Sequence, residues 1–181
     1  MDTYKLKFTT LQNEIFRLLC IRAGESLNQS AIARLLKVSP TAVAKALPIL
    51  EKEGFIKLEK HKEMNLNSVQ LCRSQEIMRL KRAENLRLVY ETGLADALEE
   101  NFPGTAIILF GSFSRGDDTA KSDIDIAIMG SGKTKDIDLS AYETRLEKKI
   151  NINNYASAKD VHKELMENLC NGIVLAGGIE L

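Results

Sequence analysis

Gly111-Ser112, followed after ten residues by Asp123-Ile124-Asp125, is the stretch of this chain best equipped for chemistry. An apolar run, Ala106 to Phe110, ends at the Gly-Ser pair, and a second, Ile124 to Met129, contains the Asp-x-Asp pair. Residues two apart on a strand face the same way. Asp123 and Asp125 therefore project together, while Ile124, Ile126 and Ile128 project into a core. Two adjacent carboxylates repel each other unless a cation lies between them. Mg²⁺ fits, since it takes oxygen ligands and is held by one or two carboxylates together with substrate phosphates. Gly111-Ser112 at a strand end lets backbone N–H groups and a hydroxyl approach a phosphate.

This pattern resembles the nucleotidyltransferases of the DNA polymerase β superfamily, in particular their minimal single-domain members. Gly111, Ser112, Asp123 and Asp125 meet the family motif, and Arg115, Gly116 and Ser122 stand in familiar places. The resemblance implies transfer of a nucleotide from an NTP, ATP in the first instance, with pyrophosphate leaving. It implies one or two Mg²⁺ ions held by Asp123 and Asp125. Gly111 and Ser112 would bind the terminal phosphates at a helix start. Arg115 or Lys121 would neutralise phosphate charge, although exposed loop solubility also explains both. Members of the family bring a third carboxylate from the next strand, and here that position is Asn151, in Lys149-Ile150-Asn151-Ile152-Asn153. A neutral amide binds Mg²⁺ weakly and is no base. Glu143 and Glu147 on the preceding segment, or Glu180, are the remaining carboxylate sources.

The elements around the site form an alternating pattern. Ser74 to Glu100 reads as one helix with an apolar stripe. Strands are expected at 106–110, 124–129, 150–152 and 173–176, with helices at 137–149 and 158–168. The N-terminal half reads differently: a helix ending near Gly24, a short helix over 31–37, and a third from Pro40 to about Glu53. Ser39 is its N-cap and Pro40 its first residue. Pro48 lies inside the third helix and should bend it. Two strand-like runs, 55–59 and 66–71, flank a polar tip.

Residues 8–72 in this order resemble a winged helix-turn-helix DNA-binding domain. The resemblance implies that Ser39, Thr41, Ala42 and Lys45 meet base edges and that Lys57, Lys60, His61 and Lys62 meet phosphates of double-stranded DNA. A winged helix used for protein contacts is the alternative. The expected fold is thus α+β: a winged helix-turn-helix over 1–73, a helical linker over 74–84, and a polymerase β-like nucleotidyltransferase fold, a small mixed sheet with helices, over 85–181.

Charge divides along the same line. Residues 1–82 carry 15 Lys+Arg against 8 Asp+Glu, and residues 83–181 carry 10 against 17. A basic half joined to an acidic, metal-binding half suits nucleic acid and Mg²⁺. No apolar run of eighteen residues and no charged-plus-apolar leader is present, so a cytoplasmic protein away from membranes is expected. Cys20, Cys72 and Cys170 are an odd number and stand among apolar neighbours, which suits free thiols. The two histidines are far apart, which argues against zinc.

Three functions fit. The first is a DNA-binding transcriptional regulator whose transferase domain binds Mg·NTP as effector or substrate. The second is an active enzyme that modifies a partner protein, such as a toxin, or a small molecule. The third is an inert transferase fold used for dimerisation. A homodimer is expected because winged helices commonly read paired half-sites.

Overall fold

The computed structural model describes residues 8–61, 66–131 and 135–178. The chain divides into two compact units, Met1–Ile77 and Met78–Leu181.

In the first unit, α1 (Thr10–Ile21) starts at a capping box in which Thr9 and Gln12 satisfy each other's backbone N–H groups. A short strand β1 (Leu27–Asn28) leads into α2 (Gln29–Leu36), capped by the Asn28 side chain on the Ala31 N–H at 2.8 Å. α3 (Pro40–Lys52) follows, with Ser39 as N-cap on the Ala42 N–H and Pro40 in its first turn. The helix continues through Pro48 to Lys52. β2 (Ile56–His61) and β3 (Leu66–Leu71) form an antiparallel hairpin, and β1 pairs with β3, giving the order β1-β3-β2. Ile15, Leu19, Ile32, Val43, Leu50, Ile56 and Val69 form a buried core. Phe8 and Phe16 meet Phe55 edge to face, with centroids 4.7 and 5.0 Å away.

The helix expected over 74–100 is two helices. α4 (Gln75–Glu91) and α5 (Leu94–Asn101) are separated at Thr92-Gly93. The division between the units falls inside the expected linker 74–84. Lys81, expected in that linker, has no exposed surface. The second unit then runs through β4 (Ala106–Phe110), α6 (Gly111–Arg115), β5 (Ile124–Met129), α7 (Ser140–Leu146), β6 (Ile150–Tyr155), a 3₁₀ turn (Ala158–Asp160), α8 (Lys163–Cys170) and β7 (Ile173–Ala176). The sheet order is β6-β5-β4-β7, antiparallel except for the parallel β5–β6 pair.

β4 is buried along its whole length and β5 is buried everywhere but at Asp125. Ala106, Ile108, Phe110, Ala127 and Met129 line one face of the sheet, and Leu169 of α8 packs among them. A sheet buried on both faces explains why these strands are apolar runs. Three elements differ from expectation. α7 covers only 140–146 of the helix expected over 137–149, since Glu147 takes a left-handed backbone at φ 53°. The helix expected over 158–168 is a 3₁₀ turn followed by α8, and β6 runs three residues beyond Ile152.

Candidate functional site

The strand registers bring the polar residues together. Antiparallel pairing sets Phe110 opposite Asp125, so the chain leaves β4 at Gly111 directly beside that carboxylate. Gly111 has φ +75°, and a Cβ there would lie 2.7 Å from Asp125 Oδ2. Only glycine serves both the backbone and the approach. Parallel pairing sets Asn151 of β6 opposite Asp125. Asn151 Nδ2 donates to Asp125 Oδ1 at 3.2 Å and to Asp123 Oδ2 at 3.3 Å. An amide nitrogen has two hydrogens, one for each carboxylate. Asp123 and Asn151 are exposed and Asp125 is half-buried, so the group is open to a ligand.

The donors suit a hard cation: two carboxylates, and an amide that can also present its oxygen. The deficit is charge. Among the described residues no group of three or more His, Cys, Asp or Glu side chains could hold a metal ion. Glu143 does not fill the place of a third carboxylate. Its Oε1 accepts from the Ile150 N–H at 3.1 Å and its Oε2 from Lys149 Nζ at 2.8 Å. The hydrogen bond from Lys149 holds the Glu143 carboxyl below its ordinary value, and the Ile150 N–H adds to this. Lys149 is raised in turn, chiefly by its hydrogen bond to Glu143, with a smaller contribution from Asp123. Glu147 is exposed at the C-terminus of α7, and Glu180 lies outside the described residues.

The other expected nucleotide-side residues have varied surroundings. Ser112 is half-buried, second in α6. Arg115 is exposed and its Nε donates to Asp117 Oδ2 at 3.3 Å. Gly116, at φ +82°, lies against α4. A Cβ there would meet the Met78 carbonyl and come within 2.8 Å of the Arg82 nitrogen. Ser122 Oγ accepts from the Thr119 N–H at 2.9 Å and closes the loop before Asp123. Lys121 is exposed.

Beneath that loop is a group that sequence reasoning missed. Asp118 is buried between Lys81 of α4, which binds its Oδ1, and Lys148, whose Nζ lies 3.2 Å from its Oδ2. Asn85 Nδ2 donates to Asp118 Oδ1 at 2.7 Å and to the Phe113 carbonyl at 2.9 Å. One signal was available: Lys81 and Asn85 continue the helical stripe of Ile77, Leu88 and Val89 and should therefore be buried.

Comparison with known families finds a match in each half. Residues 92–171 match the family model described as nucleotidyltransferase domain, and residues 12–63 match the MarR family. The chain joins a MarR-type winged helix to a nucleotidyltransferase domain. No curated protein matches it. Among solved structures, a single-site mutant of ZitR from Lactococcus lactis is 22% identical over 56% of this chain and 67% of that one, with a TM-score of 0.43. AdcR, the adhesin competence repressor of Streptococcus pyogenes, is 20% identical over 56% of this chain and 71% of its own, with a TM-score of 0.43. The ZitR mutant has also been solved in complex with DNA, where it is 22% identical over 57% of this chain and 68% of that one, with a TM-score of 0.43.

On the MarR-type winged helix, Ser39, Thr41 and Lys45 are exposed at the start of α3 and Ala42 is half-buried. Gln29 Nε2 donates to the Pro40 carbonyl at 2.8 Å, which ties the start of α2 to the start of α3. Lys57 is exposed on β2 and paired with Glu59 at 2.6 Å, which raises its pKa. The side chains of Lys60 and His61, and the whole of Lys62, lie outside the described residues. Among the described residues no helix is long and apolar enough to cross a membrane.

Proposed function

We propose that this protein is a cytoplasmic DNA-binding regulator whose nucleotidyltransferase domain binds Mg·NTP, ATP being the first nucleotide to test. One observation carries the reading: Asn151 stands between Asp123 and Asp125, where a third carboxylate would complete a transfer site. The two carboxylates suffice to hold one nucleotide-bound Mg²⁺, with Asn151 as a neutral neighbour. When bound, the ion would offset the charges of both the carboxylates and the triphosphate. Gly111 leaves the turn open beside Asp125, so that phosphate oxygens can reach backbone N–H groups. Among the described residues no further carboxylate joins the pair to take a proton from an acceptor hydroxyl, which supports nucleotide as effector over nucleotide as substrate.

The intact Asp123/Asp125 pair favours a second reading, NMP transfer to an acceptor such as a partner protein of the toxin type. The winged helix supports double-stranded DNA as the macromolecular partner, through Ser39, Thr41, Ala42 and Lys45 on α3 and Lys57 on β2, with the protein acting as a homodimer.

The test is an α-³²P-ATP transfer assay with Mg²⁺ and cell lysate, comparing wild type, Asp125→Ala and Asn151→Asp, run beside binding to duplex DNA. The proposal expects DNA binding, no label from wild type, and label from Asn151→Asp. Label on a discrete acceptor from wild type, lost with Asp125→Ala, would replace the regulator reading with the enzyme one.

A further inference from the structure

The residues between α6 and β5 must deliver Asp123 to the site, and they do so over a buried charge cluster. Lys148 has a side chain only 1% exposed. Its ammonium donates to the Thr119 carbonyl at 2.5 Å and to the Ser122 carbonyl at 3.4 Å, and ion-pairs with Asp118 Oδ2 at 3.2 Å. Two of its N–H groups thus serve backbone carbonyls, while the contact with Asp118 Oδ2 is an ion pair rather than a hydrogen bond. Ser122 immediately precedes Asp123, and Lys148 lies three residues before Asn151. Next to it, the Ile124 N–H donates to the Lys149 carbonyl at 2.8 Å. One side chain thus ties the loop that carries the metal-side carboxylate to the strand that carries the amide.

The charge count argues that this is more than packing. Lys81 already neutralises Asp118, and Asn85 supplies a further hydrogen bond. A second buried ammonium sets two cations on the one carboxylate of Asp118, and burying charge costs stability unless it is compensated. We propose that Lys148 is a positioning residue for the carboxylate pair, its ammonium holding Thr119 and Ser122 so that Asp123 stands beside Asp125 and Asn151. This rests on the Mg·NTP reading of that site.

The test uses the full chain and titrates Mg·ATP by calorimetry, with thermal unfolding in parallel. Lys148→Met removes the anchor and leaves the neutral Lys81–Asp118 pair behind. Its expected effect is about tenfold or greater loss of Mg·ATP affinity, the size seen when groups behind a metal ligand are removed, and a greater loss of affinity for the same drop in unfolding midpoint than Lys81→Met shows. Lys148→Arg keeps a cation with donors and should recover most of the affinity. Lys81→Met leaves the Lys148 anchors in place and should cost less affinity. If Lys148→Met does not fold, Lys148→Gln, which keeps one donor arm, should lose affinity between wild type and background. Lys148→Met that binds like wild type overturns the inference. So does parallel loss of affinity and unfolding midpoint in Lys81→Met and Lys148→Met. Failure of the underlying site looks different: wild type and Asp125→Ala then bind Mg·ATP equally, or not at all, and the inference falls with the site.

Discussion

At the scale of the residue, Asn151 sets what the carboxylate pair can do. It bridges Asp123 and Asp125 with hydrogen bonds of 3.3 and 3.2 Å but brings no charge. Asn151→Asp should raise Mg²⁺ affinity measurably by calorimetry and, without metal, lower the unfolding midpoint, because three carboxylates then repel one another. Gly111→Ala should abolish Mg·nucleotide binding and cost about 1–3 kcal/mol in thermal unfolding, from the left-handed backbone and the overlap with Asp125. Glu143 yields a pH prediction. Its folded pKa is depressed by Lys149 and the Ile150 N–H. Its contribution is therefore present above the unfolded carboxylate pKa and is lost as pH falls through the lower folded value. Glu143→Gln should flatten that small acid-side dependence in unfolding measured across pH 3 to 6. The motif residues were legible because their types and spacing carry chemistry. The Lys81–Asp118–Lys148 cluster was not, since its members come from α4 and two separate loops, and Lys81 and Asp118 are 37 residues apart.

At the scale of the element, strands were easier to read than helices. β4 and β5 are short apolar runs bounded by glycine, polar residues or turns, and a strand buried on both faces leaves such a run in the sequence. Helix ends after residue 137 depend on tertiary demands. α7 ends at Glu147 because Lys148 turns inward to bind Asp118 and the Thr119 carbonyl, a contact that local propensity does not register. β1, at two residues, is too short to show a period and exists through its pairing with β3. Caps were legible, and Ser39→Ala should cost about 1 kcal/mol in unfolding of the winged helix. Gly116→Ala tests the seat of the 116–122 loop on α4. A Cβ there meets backbone of Met78 and Arg82, which cannot swing aside, so a marked drop in unfolding temperature is expected.

For the whole molecule, two units of opposite charge stand in one chain. α4 runs across the division at Ile77/Met78 without a break in helical pattern. DNA binding by the basic half should weaken with salt. Lys45→Ala should lower affinity and relax the sequence preference, as loss of a base-edge contact does. Lys57→Ala should cost less, since Glu59 already compensates that ammonium. The central claim is that the Asp123/Asp125 pair binds a metal nucleotide. Calorimetric titration of the full chain with Mg·ATP, beside Asp125→Ala, tests it directly. The account predicts Mg²⁺-dependent binding by wild type and none by Asp125→Ala. Binding that is absent, or that survives in Asp125→Ala, would contradict it.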